Sequence, residues 1–216
     1  GNKLFKSFNR GDDWLEISGD LTTADPDRIA GNVPHCTITT IAESKKDKNR
    51  LLVGTDDGKV QSTLDGGENW TDLTDHFPFR PPNWWCSRVE FATDDKDTAY
   101  ASFTGYREDD FRPFLFKTTD AGQTWESISS NLPEGPVNVV KQDPENPSTL
   151  YVGTEFGVFI SLDQGKQWHA LDQGLPRVSV QDLLVHPRDG DLVIGTHGRG
   201  IFVMDSVAPF QHFDAE

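Results

Sequence analysis

Sulfur and positive charge are both scarce in this chain, and each shortage limits what the chain can do. The 216 residues include two cysteines and one methionine, so no more than one internal disulfide can form. Lys and Arg number 20 against 35 Asp and Glu, which gives a net charge of −15. A surface this acidic repels phosphate backbones and argues against a nucleic-acid partner. It favours a soluble surface in a salty or extracellular setting.

Long apolar runs and helical periodicity are also missing. No apolar stretch is long enough to cross a membrane. No stretch spaces its apolar residues as an amphipathic helix does. Val, Ile, Phe and Thr instead recur in short runs bounded by Gly, Asp, Asn and Pro. This pattern predicts an all-β protein.

One turn sequence occurs four times along the chain, and we call it the box turn. Its copies fit Ser/Thr-x-Asp-x-Gly-x-x-Trp, with Asn in place of Asp in the first, and they are Ser7–Trp14, Thr63–Trp70, Thr118–Trp125 and Ser161–Trp168. The Asp or Asn side chain can accept backbone N–H groups downstream, and the Gly supplies a positive φ. The Trp begins the next strand and buries its ring. We interpret the following residues as structural, rather than as calcium ligands or catalytic groups: Asn9, Trp14, Asp65, Trp70, Asp120, Trp125, Asp163 and Trp168.

The spacing of the box turns predicts the architecture. Their Trp residues lie 56, 55 and 43 positions apart, which fits a propeller blade of four antiparallel strands. We therefore expect a single β-propeller segment over residues 1–216. It would have three complete blades at 34–74, 86–129 and 136–172 and two partial blades at 1–20 and 178–206. The first strands of successive blades would be Cys36–Ala42, Cys86–Ala92, Val137–Lys141 and Val180–Val185.

The two ends of the chain do not complement each other. The chain begins in a third strand at Lys3–Lys6 and closes on another third strand at Ile201–Asp205. An open sheet edge is an aggregation liability. We therefore expect the absent strands to come from the missing part of a larger propeller or from a second copy of the chain.

The two cysteines both open predicted first strands, at equivalent positions of adjacent blades. Packed sheets lie about 10 Å apart, which is longer than the Cα separation that a disulfide tolerates. We therefore expect Cys36 and Cys86 to be buried free thiols.

A binding site is expected at the strand ends opposite the box turns, because loops that converge on a rigid scaffold form concavities there. One of these loops is long and charged (105–113), and an aromatic connection precedes the third blade (77–85). The binding candidates are Trp84, Trp85, Arg88, Arg107, Asp109, Asp110, Arg112, Glu155, His197 and Arg199. The catalytic candidates are Asp56, Asp109, Asp110 and Glu155.

Three kinds of ligand fit these residues. Aromatic rings and acids suit a carbohydrate, and two carboxylates could act as acid and base in glycoside hydrolysis. Oxygen ligands from Asp109, Asp110 and Glu155, together with His197, could hold calcium, although no ligand spacing marks such a site. Trp and Arg are also typical anchors for a protein or peptide partner. Apart from this calcium option, the sequence predicts no metal site and no cofactor.

The four box turns resemble those of the Asp-box (bacterial neuraminidase repeat) superfamily of β-propellers. That superfamily includes sialidases, xyloglucan-active hydrolases and sortilin-type receptors. A longer stretch, Trp85 to Asp205, is similar to the C-terminal part of large exported bacterial propeller proteins labelled glycosyl hydrolase or sortilin-like. The resemblance implies the fold. Sialidases carry an Arg-Ile-Pro segment that this chain lacks, which argues against sialidase activity.

A repeat pattern without a catalytic constellation favours a non-enzymatic module. We expect it to bind a protein, peptide or glycan on its loop face, as part of a larger exported protein that is extracellular or periplasmic. The alternative is a glycoside hydrolase of the sialidase or xyloglucanase type that acts on polysaccharide.

Overall fold

Five antiparallel sheets follow one another along the chain in the computed structural model. The structure describes residues 1–33, 35–78, 84–172 and 174–213. Within these ranges, three sheets have four strands each, and the sheets at the two ends have two and three. In every sheet the strands pair in the order of the sequence, so each sheet is a meander.

The strands are as follows. The first sheet contains β1 (Phe5–Lys6) and β2 (Leu15–Glu16). The second contains β3 (Ile38–Glu43), β4 (Leu51–Thr55), β5 (Val60–Thr63) and β6 (Thr71–Asp72). The third contains β7 (Trp85–Phe91), β8 (Ala99–Gly105), β9 (Asp110–Thr118) and β10 (Glu126–Ser127). The fourth contains β11 (Val137–Gln142), β12 (Leu150–Thr154), β13 (Gly157–Ser161) and β14 (His169–Ala170). The fifth contains β15 (Val180–Val185), β16 (Leu192–Thr196) and β17 (Ile201–Met204).

Helix is confined to short pieces in the described ranges. Two four-residue helices, α1 (Pro26–Ile29) and α2 (Ala208–Gln211), accompany 3-10 turns at Thr74–His76 and Tyr106–Glu108. None of the helices in the described part of the chain is long and apolar enough to cross a membrane.

The core lies between sheets rather than within one. All five residues of β4 and all five of β12 are buried, because a strand covered on both faces can be apolar throughout. The two-residue fourth strands β6, β10 and β14 are exposed.

Successive sheets meet at their first strands. Strand β7 packs against β3 and β4, β11 against β7 and β8, and β15 against β11 and β12. The first strands therefore lie side by side around a shared space, and the fourth strands lie outermost.

The box turns share one hydrogen-bond pattern. In the second sheet, Thr63 Oγ1 donates to Asp65 Oδ1 over 2.7 Å and accepts the N–H of Gly67 over 3.0 Å. Asp65 Oδ1 also accepts the N–H of Asn69 over 2.9 Å. The same three bonds recur in the other copies, where the hydroxyl and the side-chain acceptor are Ser7 and Asn9, Thr118 and Asp120, and Ser161 and Asp163.

Two of the box tryptophans tie their sheet to the preceding one. The indole N–H of Trp70 donates to the carbonyl of Ile17 over 2.9 Å, and that of Trp168 donates to the carbonyl of Ile128 over 2.8 Å. The box glycine contacts the same neighbour, since a Cβ on Gly67 would lie 2.6 Å from the Ile17 carbonyl oxygen. Glycine is required there by close approach as well as by its φ of 106°.

The fifth sheet has a helix where the other sheets have a box turn. Asp205 keeps the box position, but the chain then enters α2. The Val207 N–H bonds to the Gly190 carbonyl over 2.7 Å, and Asn146 Nδ2 donates to the carbonyls of Phe210 and Gln211. These bonds fasten the C-terminal helix to the fourth and fifth sheets.

The prediction of a long loop at 105–113 is wrong, because the connection in the structure is much shorter. Strand β8 runs to Gly105, and β9 begins at Asp110, so a short 3-10 turn connects them. Pro113, which the sequence suggests is a loop residue, falls in an irregularity of the β8–β9 pairing between Phe103 and Gly105. A proline is tolerated in a strand at such a position because no ladder bond needs its missing N–H.

The two cysteines are free and buried, but they are not at equivalent positions. The register shift in β3 falls after Ile38, and the shift in β7 falls after Cys86. Ile38 therefore corresponds to Cys86, while Cys36 precedes β3 with a φ of 69°.

Candidate functional site

Each first strand carries a β-bulge at the same place. The register shifts lie between Ile38 and Thr40, Cys86 and Arg88, Val137 and Val139, and Val180 and Asp182. The extra residues at these bulges are all polar, and all line one cavity: Thr39, Ser87, Asn138 and Gln181. A bulge re-aims a side chain that would otherwise follow the alternation of the strand.

The bulge side chains link neighbouring sheets. Thr39 Oγ1 donates to the Cys86 carbonyl over 2.8 Å, and Ser87 Oγ donates to the Val137 carbonyl over 2.6 Å. Asn138 Nδ2 donates to the Val180 carbonyl over 3.1 Å. Each bond therefore runs from one bulge to the residue just before the next, which fixes the inner wall of the cavity.

The cavity measures about 460 Å³ and lies at the strand ends opposite the box turns. Asp56 and Glu155 come from turns between second and third strands, whereas box turns join third to fourth strands. In an antiparallel sheet these two kinds of turn lie at opposite ends. The lining consists of the four bulge residues and of Arg28, His35, Asp56, Trp84, Trp85, Arg88, Thr104, Tyr106, Arg107, Glu108, Pro136 and Glu155.

Aromatic and cationic groups share one wall of the cavity. The guanidinium of Arg107 lies 5.0 Å from the centre of the Trp85 ring, at the range of a cation–π contact. Arg107 Nη1 also lies 3.4 Å from His35 Nε2. Trp84 is 7% exposed and packs its ring 4.6 Å from that of Phe114, which makes it part of the core behind the wall.

Arg88 reaches across the space around which the first strands lie. It belongs to the third sheet, yet its Nη2 donates to Asp182 Oδ1 over 2.9 Å and to the Gln181 carbonyl over 3.3 Å in the fifth. Its Nε is buried and has no hydrogen-bond partner among the described residues, and the same holds for Nδ1 of His35. Two side-chain nitrogens in this cavity are therefore unsatisfied.

The cavity carboxylates Asp56 and Glu155 accept hydrogen bonds from the protein. Asp56 Oδ1 accepts the Thr37 N–H over 2.7 Å. Glu155 Oε1 accepts from the bulge residue Asn138 over 3.0 Å. These two candidates therefore lie in the cavity and are held in place by neighbouring donors.

Five other candidates lie outside the cavity lining. Asp110 and Arg112 pair with each other, with Nη2 of the arginine 2.6 Å from Oδ2 of the carboxylate. The hydrogen bond from Arg112 lowers the pKa of Asp110. Asp109 is exposed with a φ of 55°. His197 and Arg199 are exposed in the turn between β16 and β17.

No group of three His, Cys, Asp or Glu side chains in the described ranges is placed to hold a metal ion. The four residues considered as calcium ligands are divided between the cavity (Glu155) and the exterior. The aromatic connection before the third sheet was also a candidate, and its residues 79–83 lie outside the described residues.

Sequence reasoning missed the four bulge residues. The sequence does contain a signal for them, because a polar residue occupies the same position in each first strand relative to its buried apolar residues. The strands read Ile-Thr-Thr, Cys-Ser-Arg, Val-Asn-Val and Val-Gln-Asp around the bulge. Aligning the repeats on this position would have identified the inner wall.

Comparisons with known proteins identify the fold. No protein-family profile matches the chain, and no curated protein sequence matches it. Solved structures do match. The GH74 xyloglucanase from Xanthomonas campestris aligns with a TM-score of 0.64 at 16% identity, over 89% of this chain and 30% of that one. YCF48 bound to D1 peptide aligns with a TM-score of 0.58 at 21% identity, over 78% of this chain and 51% of that one. The extracellular domain of BT4673 from B. thetaiotaomicron aligns with a TM-score of 0.63 at 12% identity, over 94% and 24%.

These neighbours are β-propeller proteins, and at such identities the likeness shows the fold alone. The predicted fold class is confirmed: the chain is an all-β, open propeller, and its described residues form three four-stranded blades and two partial ones. The chain spans less than a third of the xyloglucanase and of BT4673, and about half of YCF48.

Proposed function

We propose that this chain is a non-enzymatic binding module that takes a peptide segment of another protein into the cavity. The observation that carries the proposal is the composition of the cavity. Trp85 and Arg107 form an aromatic and cationic part of the lining, and the carboxylates Asp56 and Glu155 of the same cavity already accept protein donors. Trp and Arg are the side chains that most often anchor a protein partner in a desolvated pocket.

The carboxylates support binding rather than hydrolysis. Glycoside hydrolysis requires one carboxyl group that stays protonated and a second that acts as base or nucleophile. Asp56 and Glu155 each already accept a hydrogen bond from a protein donor. The hydrogen bond from Arg112 lowers the pKa of Asp110, which makes that carboxyl group a poor proton donor.

A structural neighbour supports a peptide ligand. One of the matched propellers, YCF48, was solved with a bound peptide. A rigid wall of first strands, pinned at every bulge, offers a preformed surface to an extended segment, and preformed sites lose less entropy on binding.

The test is selection of peptides from a displayed library on the purified chain, followed by calorimetry with the selected peptide. We expect Trp85→Ala and Arg107→Ala each to weaken binding by about tenfold or more, since interface anchors of these types cost at least about 1.4 kcal/mol. Arg112→Ala, outside the cavity, serves as the matched control. Equal affinity of the wild type and both cavity variants would refute the proposal.

The alternative is a glycoside hydrolase, and the GH74 neighbour favours it because that protein is a xyloglucanase. Under this hypothesis Asp56 and Glu155 act together on a polysaccharide. The test is release of reducing sugar from xyloglucan by the wild type, with Asp56→Asn and Glu155→Gln. Turnover that either change abolishes would establish the enzyme, whereas no turnover supports the binding module.

We further propose that the box turns place the chain in the Asp-box superfamily and that it belongs to an exported protein. The support is the four-fold recurrence of one hydrogen-bonded turn and the extracellular neighbour from B. thetaiotaomicron. Cell fractionation with an antibody to this chain tests the location, and recovery only from the cytoplasm would contradict it.

A further inference from the structure

We propose that the cavity recognises a carboxylate group of its peptide ligand, through Nε of Arg88 and Nδ1 of His35. This inference rests on the proposed binding function and names the chemistry that the site selects. It starts from two buried nitrogens that lack partners in the described part of the chain.

Arg88 supplies a donor that must find an acceptor. A guanidinium has N–H donors and no acceptor, so the buried Nε can only donate. Its Nη2 is occupied by Asp182 and by the Gln181 carbonyl, which holds the side chain across the cavity. A buried donor without an acceptor costs free energy, and a ligand oxygen at this position removes that cost.

His35 supplies the second donor, and its neighbour fixes its tautomer. Arg107 Nη1 lies 3.4 Å from His35 Nε2, and because arginine can only donate, Nε2 is the acceptor. The proton of the neutral ring therefore sits on Nδ1. This N–H is buried and has no acceptor among the described residues.

The unsatisfied donor of a permanent cation favours a carboxylate over a neutral acceptor. The cavity lining holds three arginines (Arg28, Arg88 and Arg107) and three acids (Asp56, Glu108 and Glu155), so the preference comes from the Arg88 donor and not from an excess of positive charge. Asp56 and Glu155 already accept protein donors. Hydrogen bonds from a cation to an ionised acceptor are about twice as strong as neutral ones, so an anionic oxygen gains most from this arrangement.

The experiment compares two ligands of one shape on the intact chain. 3-Phenylpropionate carries a carboxylate, and 3-phenylpropionamide carries a neutral amide on the same aromatic stem. Affinities are measured by calorimetry and by ligand-observed NMR. We expect the carboxylate to bind about tenfold more tightly than the amide, which corresponds to about 1.4 kcal/mol. Equal binding of the two, or binding of neither, overturns the inference.

Variants at Arg88 and Arg112 test which residue produces the preference for the carboxylate. Arg88→Met keeps the aliphatic stem and removes the N–H donors, so we expect it to abolish the preference for the carboxylate. Arg112→Met, outside the cavity, should leave that preference unchanged. If Arg88→Met fails to fold, Arg88→Lys, which keeps the charge but removes Nε, replaces it and should reduce the preference. A preference that survives at position 88 would place the carboxylate elsewhere and overturn the inference.

Two further outcomes separate the hypotheses. Glucuronate is tested alongside, and tighter binding of this sugar acid than of phenylpropionate would show a glycan source and overturn the peptide assignment. If the library-selected peptide binds in a manner that depends on Trp85 while the carboxylate preference is absent, the binding function stands and the carboxylate inference fails.

Discussion

The two ends of the sheets are built from the same repeats but differ in how much they vary. At the box-turn end, all four copies form the same bonds between a Ser or Thr hydroxyl, an Asp or Asn acceptor and a glycine N–H, with nearly the same distances. At the cavity end, the corresponding positions hold different residues in each sheet, as Asp56, Glu155 and His197 show for the turns after the second strands. The repeated residues therefore lie at the end where neighbouring sheets pack together. The residues that differ between sheets lie at the end that is free to select a ligand.

Even the box-turn end contains one departure. The indole N–H of Trp125 has no acceptor in the described ranges, although Trp70 and Trp168 each bond to a backbone carbonyl of the preceding sheet. The corresponding carbonyl, that of Leu73, accepts the N–H of His76 in a 3-10 turn. Phe77 stacks on the Trp125 ring at 4.5 Å instead. An aromatic contact has replaced a hydrogen bond at this junction.

The largest effect is expected at a box tryptophan that lies between sheets. Trp168 is 3% exposed and Trp14 is 64% exposed, although both occupy the same box position. Trp168→Ala should lower the free energy of unfolding by about 3–5 kcal/mol, because it leaves a cavity and a carbonyl without its donor. Trp14→Ala should change it by about 0.5 kcal/mol or less. Urea unfolding measures both, and similar losses would remove the distinction between internal and terminal turns.

A smaller difference in stability is expected between the alanine variants of two box glycines. A Cβ at Gly67 would lie 2.6 Å from the Ile17 carbonyl oxygen, whereas one at Gly11 would meet only its own Trp14 at 3.8 Å. Both positions have a positive φ, so alanine is strained in each. Gly67→Ala should therefore destabilise by about 1–3 kcal/mol more than Gly11→Ala, because of the added overlap. Thermal unfolding of the two variants provides the comparison, and equal shifts would argue against close packing of the second sheet on the first.

Acid should weaken the box turns. The N–H and side chain of Asn69, with the Thr63 hydroxyl, lower the pKa of Asp65 to about 2. A carboxyl group with a lowered folded-state pKa stabilises the protein above its unfolded pKa, and that contribution is lost as pH falls from about 4 toward 2. Asp65→Asn should flatten this loss and leave stability at pH 7 nearly unchanged, since Asn9 forms the same turn in the first copy. Unfolding midpoints between pH 2 and pH 7 report the difference, and an unaltered slope in the variant would exclude Asp65 as a source.

The smallest stability effect is expected in the cavity. Arg107 contacts Trp85 and His35 on an exposed wall, and an exposed cation–π contact contributes about 0.5–1 kcal/mol. Arg107→Ala should thus cost about 1 kcal/mol or less in urea unfolding, while it weakens peptide binding. A loss as large as that of Trp168→Ala would assign Arg107 to the scaffold.

Sequence predicts the repeated parts of this molecule well and the cavity less well. The box turns and the sheets between them come from local sequence patterns that recur several times, so each copy strengthens the prediction made from the others. The bulges are harder to predict, because the extra residue interrupts the alternation of apolar and polar residues by which a strand is recognised in a sequence. The position of Arg88 depends on a contact with Asp182 two sheets further on, which no local pattern encodes. Pro113 and the charges around it read as a loop, although the pairing irregularity lets β9 continue through them.

Hydrogen–deuterium exchange of the chain with and without the library-selected peptide tests most directly where binding occurs. We predict added protection at residues 35–39, 84–88, 104–108 and 136–138, which surround the cavity, and none at the box turns 63–70, 118–125 and 161–168. Protection centred on the box turns, with the cavity segments unchanged, would contradict the division of the molecule into an assembling end and a binding end.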